Sequence, residues 1–444
     1  MAGGTWIDQN KIRPGVYINY KSAAAPLATM GERGTVAIAR VLDWATQGKF
    51  YEINNPMDCE KLNHAITDPE MLFIRQILLG TNRTNGAKKI LVWSLETTGS
   101  AAASVSITSD DDTFVVTAKN KGTFGNRLSV VVTAAAGGGY IVQTLLDNVV
   151  SDTQIASTTA SLVANDYVTF SGTIVATNGS ALEGGLDGTV TSSAYTNFLN
   201  ALETEKFDVL IYDGVDNTIK AAFVAFVKRM SNDEGVKCQT VISNYPSDSE
   251  CVISVYPQSI KLIDGTTISE SNLTWWVGGC TAGATAYQSI TYAAHPEAAD
   301  VTPKLTATQQ EASISSGQIA FIAQYEKVQV LSDINSFTTF TVEKGKVFSK
   351  NRVIRTIFGL CNDIYRTFAQ SYIGAVHNDD EGRKSLKAEI LNLMLKYQGN
   401  RALQNVVADD VTVERGVDID AVVINLDLQP VDSVEKIYIQ MTIS

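Results

Sequence analysis

The stretch that decides the fold is FDVLIYDGVDNTIKAAFVAFVKRMSNDEGVKCQTVIS, residues 207–243. Its first six residues, Phe207–Tyr212, form the continuous apolar run that is typical of a buried strand. Asp216 then stands at the start of an amphipathic helix that ends near Gly235, and Lys237–Ser243 reads as a second strand. A strand, a helix and a strand at this spacing predict a right-handed parallel βαβ unit.

Similar α/β sequence lies on both sides of this unit. Upstream, TVAIARV from Thr35 and KKILVWSL (Lys88–Leu95) are predicted to be buried strands, with helices at Asp58–Ala65 and Glu70–Leu79 between them. Downstream, a helix of small residues, TAGATAYQSI (281–290), is of the kind that packs closely on a sheet. These segments predict one mixed α/β core.

Residues Thr97–Gly188 are of a different kind, dense in Thr, Ser, Ala, Val and Gly and nearly without helical periodicity. Short β runs alternate there with Gly, Asn and Asp, which favours an all-β domain inserted into the core. The segment LEGGLDG (Leu182–Gly188) marks its end. A Gly-rich hinge is the simpler interpretation of this segment than a phosphate loop, because neither G-x-G-x-x-G nor the P-loop Lys is present.

The predicted fold class is therefore multidomain, α/β and α+β, with a mixed core, an inserted all-β domain and extended terminal arms. The predicted divisions are an N-terminal arm (1–34), the first half of the core (35–96), the all-β insert (97–188), the second half of the core with the βαβ sheet (189–345) and a C-terminal domain (346–444).

Both ends of the sequence contain a strand without an obvious partner. The arm holds one short candidate strand, Val16–Tyr20, and few large apolar side chains. The end, KIYIQMTIS (Lys436–Ser444), alternates apolar and polar residues with the period of a half-buried strand. A strand with an apolar face and open backbone edges must pair with another strand. The partner belongs either to the same chain, for example in DAVVINLDLQ (420–429), or to a neighbouring molecule.

The longest predicted helix spans Phe348–Tyr372, and a second spans Glu381–Tyr397. One face of the first is apolar, with the helical spacing of Ile354, Ile357, Phe358, Cys361, Ile364, Tyr365 and Phe368. The opposite side is predicted to carry Arg352, Arg355 and Arg366, with Lys346 and Lys350 just upstream. This basic stripe is either an ordinary solvated face or a docking surface for an acidic partner.

The composition excludes several classes. At 444 residues, 45% hydrophobic and 18% charged, the chain is a folded multidomain protein rather than a disordered one. A net charge of −12 argues against nucleic-acid binding by the whole protein. Five scattered cysteines fit free thiols in a reducing compartment, and neither a secretory leader nor a membrane span is seen. We expect synthesis and folding in the cytosol.

Signals for catalysis or cofactor binding are weak. The three histidines, His64, His295 and His377, lie in unrelated contexts, so no zinc site is predicted. Asp110–Asp112 is better explained as a solvated hairpin turn than as a calcium loop. Asp216, after the strand that ends at Tyr212, is more simply a helix cap than a catalytic group. No catalytic residue, metal or cofactor is predicted.

Six stretches, taken in order, resemble the tail sheath proteins of contractile-tailed phages and R-type bacteriocins. They are RPGVYINY, RGTVAIARVLDWATQGKFYEI, the stretch from LEGGLDG to VAFVKRM, WWVGGCTAGATAYQSITY, SDINSFTTF with KNRVIRTIFGLCNDI, and DAVVINLDLQPVDSVEKIYIQMTIS. The resemblance leaves out mainly the insert. The helix start reads NRVIR, without the doubled arginine of many members, so Arg352 and Arg355 match by helix position only.

The resemblance implies a structural protein whose subunits stack as rings around a tail tube, with baseplate and tail terminator proteins as further partners and no direct nucleic-acid or membrane contact. It implies location in the tail of a virion or phage-like particle assembled in the bacterial cytoplasm. Contraction of a metastable sheath would drive the tube through an envelope without a nucleotide. Arms would exchange strands between subunits, and Arg352, Arg355 and Arg366 would face the tube. The implied exchange residues are Val16, Tyr17, Ile18, Ile437, Tyr438, Ile439, Met441 and Ile443.

Two other functions stay open from the residues alone. A cytosolic enzyme built on the βαβ core would need a convergent polar pocket at the strand ends near Tyr212–Asp216. A phage-borne surface or adhesin protein is suggested by the Thr/Ser-rich insert.

Overall fold

The computed structural model describes residues 30–443. The first half of the core contains the strands β1 (Thr35–Arg40), β2 (Lys49–Ile53), β3 (Lys89–Ser94) and β4 (Thr97–Thr98) and the helix α1 (Leu72–Leu78). Two short 3₁₀ helices, Pro56–Leu62 and Pro69–Met71, precede α1. The helix predicted at Asp58–Ala65 is therefore a tighter 3₁₀ turn that starts at a proline.

The insert consists of seven strands. They are β5 (Ser104–Ser109), β6 (Asp112–Ala118), β7 (Leu128–Ala134), β8 (Tyr140–Leu146), β9 (Val149–Ala156), β10 (Val168–Gly172) and β11 (Thr177–Ala181). They form two antiparallel sheets, ordered β10-β6-β5 and β11-β7-β8-β9. Alternate side chains of both sheets, such as Phe114, Val116, Val130 and Val142, form one core. This core also contains Trp44 from outside the insert, so the insert is a β-sandwich packed on its parent domain.

The second half of the core resumes the α/β pattern. Its elements are β12 (Thr189–Val190), α2 (Ser192–Leu202), β13 (Val209–Tyr212), α3 (Asn217–Asn232), β14 (Gln239–Ser243), β15 (Val252–Val255), β16 (Ser259–Leu262), β17 (Thr267–Ile268), α4 (Leu273–Gly283), β18 (Ala298–Thr302), α5 (Ala307–Ser315), β19 (Gln318–Ile319), β20 (Phe321–Gln324) and β21 (Lys327–Val330). β12 pairs with β4, so the two chain crossings into the insert form a short antiparallel neck.

One sheet of seven strands organises both halves of the core, in the order β19-β15-β14-β13-β1-β3-β2. All neighbours in it are parallel except β2 and β3. The sheet is covered on both faces, as parallel sheets require. Val36 and Ile38 of β1 pack on one face with α1 and α4, and Ala37 and Ala39 pack on the other with α2 and α3.

The βαβ unit is confirmed, because β13 and β14 pair in parallel with α3 between them. The Asp216 carboxylate accepts a hydrogen bond from the Thr218 backbone N–H at 2.7 Å, so Asp216 caps α3. The predicted helix at 281–290 is wrong in position. α4 begins at Leu273 and ends at Gly283, because Trp275 and Trp276 anchor it on the sheet.

The C-terminal domain contains α6 (Asn351–Ser371), α7 (Asp380–Gly399) and the antiparallel hairpin of β22 (Val411–Arg415) and β23 (Val422–Leu426). α6 is buried along two faces rather than one. Ile354 and Phe358 pack against the core, whereas Leu360 packs with α7. Tyr365, predicted on the apolar face, is exposed.

Candidate functional site: the chain ends and their roots

Residues 436–443, here called the C-terminal segment, expose their apolar side chains. Tyr438 is 90% exposed and Ile443 is 98% exposed, and Ile437, Ile439 and Met441 are similar. The segment forms no β-ladder with any strand of residues 30–443. The apolar alternation predicted a half-buried strand, and residues 30–443 contain no strand that pairs with it. Exposed apolar patches of this kind mark interaction sites.

The C-terminal segment leaves the body from an anchored point. The Val431 backbone N–H donates to the Ala402 carbonyl at 2.9 Å, which holds the preceding residues on the C-terminal domain. The Glu435 carboxylate then accepts a hydrogen bond from the Thr291 hydroxyl at 2.8 Å and pairs with the Lys350 ammonium. We call Glu435 with these two partners the C-terminal root. The exposed segment begins directly after it.

The hairpin of β22 and β23 offers strand edges beside this domain. Val411 is fully buried against α7, and Val413, Ile424 and Leu426 pack on the same core. The opposite face is solvent-exposed. In the part of the chain that the structure describes, each hairpin strand pairs only with the other. Both outer edges therefore present unpaired backbone groups, which is the template for adding a strand.

The end of the N-terminal arm is also anchored, at Gly31. Val16, Tyr17 and Ile18 lie outside the described residues. The Gly31 backbone N–H donates to the Asp363 carboxylate of α6 at 2.7 Å. The other oxygen of Asp363 accepts a hydrogen bond from the Tyr397 hydroxyl of α7 at 2.9 Å.

Asp363 is buried, and it has a further partner on its own helix. The Arg366 guanidinium lies 3.1 Å from its carboxylate. Burial raises the pKa of Asp363 above its ordinary value, against the opposing effects of Tyr397, Gly31 and Arg366. We call Gly31 with Asp363 and Tyr397 the N-terminal root.

The predicted basic stripe on α6 is not a continuous surface. Arg355 is fully buried, and its guanidinium lies 2.5 Å from the Asp333 carboxylate. Arg352 is partly buried and donates to the Arg401 carbonyl at 3.4 Å, and Arg366 is turned toward Asp363. The placement of Arg355 on a solvated side was wrong, because α6 packs on the core along that side as well. For Arg352 and Arg366 a tube-facing role stays a prediction.

Sequence reasoning missed Asp333, Asp363 and Glu435 as the carboxylates that hold these elements together. Asp333 accepts hydrogen bonds from the Asn351 amide at 3.0 Å and the Ile290 N–H at 3.1 Å, besides Arg355. One signal was available, since Asp333 lies in the SDINSF turn that precedes the long helix. No comparable sequence signal marks Asp363, because only the structure shows that its side of α6 is buried.

A buried histidine joins the core to the insert. The His64 ring lies 2.9 Å from an Asp43 carboxylate oxygen through Nε2 and 3.0 Å from Asp68 through Nδ1. It also packs edge-on against Phe124 of the insert. Burial lowers the pKa of His64, but the hydrogen bonds and charges of Asp43 and Asp68 outweigh burial, and the net shift is upward. A carboxylate oxygen within hydrogen-bond distance of each ring nitrogen favours the imidazolium form, which can donate from both.

The strand ends at which an enzyme would keep catalytic groups are occupied by internal pairs. Asp213, directly after β13, pairs with Arg40 and accepts a hydrogen bond from the Trp275 indole at 2.8 Å. The Arg40 guanidinium lies over the Trp275 ring. These groups satisfy one another rather than converge on a pocket. Among residues 30–443, no cluster of three His, Cys, Asp or Glu side chains is placed to hold a metal ion.

No helix of the described chain is both long and apolar enough to cross a membrane.

Three family models match consecutive stretches of the chain. The phage tail sheath protein beta-sandwich domain matches residues 97–187, the phage tail sheath protein central domain matches 188–336, and the phage tail sheath C-terminal domain matches 343–444. Two Bacillus subtilis proteins match this chain, each over the full length of both chains. One, YqbK, is 33% identical over 479 residues. The other, XkdK of the phage-like element PBSX, is 31% identical over 478 residues.

Solved structures agree. A sheath tail protein from Desulfitobacterium hafniense is 38% identical with a TM-score of 0.84, covering 96% of this chain and 99% of that one. The helical sheath of the anti-feeding prophage, solved in its contracted state, shares the fold at 14% identity and a TM-score of 0.57, covering 97% of this chain and 98% of that one. This chain belongs to the phage tail sheath protein family, which is structural and not enzymatic.

Proposed function

We propose that this sheath subunit polymerises around a tail tube by exchanging β-strands with neighbouring copies, and that contraction of the assembly drives the tube through a bacterial envelope. The observation that carries the strand exchange is the C-terminal segment, whose apolar face has no partner among residues 30–443. An isolated chain gains nothing from keeping these large apolar side chains in water. Burying each one contributes about 1.5–3 kcal/mol.

The edges of the β22–β23 hairpin supply a receiving site for the exchanged strand. Strand addition gains affinity from main-chain hydrogen bonds and specificity from alternate side chains. The hairpin presents unpaired edges next to an apolar core formed with α7. A segment from a second copy would complete the sheet. The arm at Lys11–Tyr20 is proposed as the other exchanged strand.

Contraction is proposed to use energy stored in the extended assembly. The sequence contains no P-loop, and the polar groups at the strand ends pair with each other, so nothing here favours a nucleotide-driven step. The anti-feeding prophage protein of the same fold forms a helical sheath with a contracted state, and another solved structure contains its baseplate. By this likeness, tail tube, baseplate and terminator proteins are proposed partners in a phage or phage-like particle assembled in the host cytoplasm.

Arg352 and Arg366 are proposed to contact the tube in the extended state. Arg355 is withdrawn from this proposal, since its guanidinium is buried on Asp333. A substitution at Arg355 would test folding and not tube contact.

Deletion of residues 436–444 tests the strand exchange. The chain remains anchored at Glu435, so we expect a folded monomer that forms no long tubes under conditions in which the full chain does. Negative-stain microscopy measures the tubes, and circular dichroism with a thermal melt measures the fold. Long tubes from the truncated protein would overturn strand exchange by this segment.

A pair of double variants gives a matched test within the full-length chain. Ile439→Lys with Ile443→Lys places charges on the apolar face, whereas Gln440→Lys with Thr442→Lys adds the same charge to the other face. The side-chain period of two puts these pairs on opposite faces of one strand. We expect loss of tubes from the first variant and retention by the second. Equal behaviour of the two would contradict a paired strand with one buried face.

A further inference from the structure

Both roots converge on one helix. Lys350, which occupies the N-cap position of α6, pairs with Glu435 of the C-terminal root. Asp363, about three and a half turns further along α6, holds Gly31 of the N-terminal root. Gly31 and Glu435 are far apart in sequence, yet each takes part in a carboxylate contact that involves α6 or its N-cap residue.

The C-terminal root belongs to a continuous polar network. The Thr291 hydroxyl donates to Glu435 and accepts the Asp333 N–H at 2.9 Å. The Asp333 carboxylate is held in turn by Arg355 and Asn351 in the first turns of α6. The direction of the C-terminal segment is thereby tied to a fully buried ion pair and not only to a surface contact.

The N-terminal root is comparably constrained. The Asp363 carboxylate takes hydrogen bonds from the Gly31 N–H, at 2.7 Å, and the Tyr397 hydroxyl, at 2.9 Å, and it pairs with Arg366. The Gly34 and Thr35 backbone N–H groups donate to Asp208, at 2.8 and 3.0 Å. The chain is therefore held at successive points from Gly31 to the start of β1.

We propose that Asp363 and Glu435 are positioning residues that fix the directions in which the two arms leave the subunit, so that α6 couples the two strand-exchange joints. The inference rests on the proposed strand exchange. A strand that must add to the edge of a neighbour binds more tightly when its root is already oriented, because less conformational freedom is lost on binding. A displacement of α6 in an assembled sheath would move both joints together.

The test for Glu435 uses Glu435→Gln and Lys350→Ala in the full-length protein. The pair is partly exposed, with 20% of the Lys350 side chain and 17% of the Glu435 side chain accessible, so the melting temperature of the monomer should change little. The critical concentration for tube formation, measured by sedimentation, should rise by up to about fivefold, the factor that corresponds to losing one partly exposed ion pair that orients the segment. The charge swap Lys350→Glu with Glu435→Lys should recover most of it.

Lys384→Ala is the matched control, because the Lys384–Glu381 pair lies at the exposed start of α7, where 72% of the Lys384 side chain and 85% of the Glu381 side chain are accessible. It should leave both readouts unchanged. Unaltered assembly by Glu435→Gln, or a loss that merely follows a lowered melting temperature, would overturn the role of Glu435. That outcome differs from failure of the proposed function, in which the chain lacking 436–444 still forms tubes.

The test for Asp363 compares Asp363→Ala with Tyr397→Phe. Both remove some of the buried network at one carboxylate, but only the first removes the acceptor that holds Gly31. We expect both to lower the melting temperature, and Asp363→Ala alone to alter the helical twist or the critical concentration of tubes. Should Asp363→Ala fail to fold, Gly31→Pro removes the donor from the other side. Assembly by Asp363→Ala or Gly31→Pro that equals assembly by the parent would overturn the role of Asp363.

Discussion

β1 and the C-terminal segment are both apolar stretches that sequence reasoning predicts to be strands, and the structure treats them in opposite ways. β1 lies in the middle of the sheet and pairs in parallel with β3 and β13, and its Val36 and Ile38 are fully buried. The C-terminal segment exposes every large apolar side chain from Ile437 to Ile443. A strand whose partners lie in its own chain contributes to monomer stability. A segment without partners among residues 30–443 is available for the proposed strand exchange.

The largest expected effect on stability is at Arg355. Its comparison with Arg352 repeats the contrast between buried and exposed positions for charged side chains. Replacing it with alanine leaves the buried Asp333 carboxylate without its charge partner, which costs about 3–5 kcal/mol of unfolding free energy. Urea denaturation followed by circular dichroism measures the loss. Arg352→Ala, at a partly exposed position, should cost less than about 1 kcal/mol. A cost near zero at Arg355 would restore it to the candidates for tube contact.

Next in size is the direct comparison of the two strands. Ile38→Ala in β1 removes a side chain that is fully buried between the sheet and α4, and should cost about 2–5 kcal/mol of unfolding free energy. Ile439→Ala in the exposed segment should change the same quantity by less than about 0.5 kcal/mol, yet weaken tube formation. A large loss of monomer stability at Ile439 would mean that the segment pairs within its own chain.

A smaller effect concerns pH at the joint between core and insert. The pKa of His64 is raised in the folded state, so its contribution to stability is complete below about pH 6.5 and is lost as the pH rises through the folded-state value. We expect the melting temperature to fall above pH 6.5. His64→Gln should remove that fall and cost about 1.5–3 kcal/mol at low pH, through lost hydrogen bonds to charged groups.

Several charged and titratable groups surround this ring and must be held constant in the comparison. Asp43 and Asp68 contact His64 directly, and the Arg127 guanidinium of the insert interacts with both carboxylates. Burial raises the pKa of the nearby Cys59 thiol to about 11, so it stays neutral over this range. If the melting temperature of the parent did not change between about pH 6 and pH 8, the expectation that His64 is protonated in the folded state would be contradicted.

The pKa of His295 is shifted in the opposite direction from that of His64. His295 therefore serves as a control for the pH dependence of stability. It is buried with Nε2 2.9 Å from the Gln76 amide oxygen, and burial lowers its pKa to about 4. The unfolded chain then binds more protons between about pH 4 and 6.5, and stability falls as the pH falls through this window. His295→Gln should flatten that acid limb and leave the limb above pH 6.5 intact.

The smallest expected effect concerns two N-cap residues, one whose side chain makes a capping hydrogen bond and one whose side chain does not. Asp216→Ala should cost about 1 kcal/mol of unfolding free energy, since its carboxylate accepts the Thr218 N–H. Thr191 occupies the same position before α2 but makes no capping hydrogen bond from its side chain, so Thr191→Ala should cost less. Neither change should affect tube formation, because both lie in the body of the subunit. If both substitutions lowered the unfolding free energy equally, the side-chain hydrogen bond to Thr218 would contribute nothing beyond the N-cap position itself.

Sequence periodicity was sufficient for elements whose signal is local. The run Phe207–Tyr212, the cap at Asp216 and the second strand through Ser243 each depend on neighbours within about one turn or one strand, and the structure confirms them. The all-β character of the insert follows similarly from dense turn residues between short runs. The bounds of α4 were harder to predict from the sequence. Two tryptophans that pack on the sheet determine where the helix lies, rather than the small residues downstream of them.

By itself the sequence determined a mixed α/β core, an inserted all-β domain and a terminal segment in which apolar and polar side chains alternate. Only the tertiary structure decided that α6 is buried along two faces, that Arg355 pairs with Asp333, and that both roots meet on α6. The reason is the range of the interactions. Hydrophobic periodicity reports which face of an element avoids water, but it does not report which distant carboxylate, backbone amide or strand edge will be brought beside it.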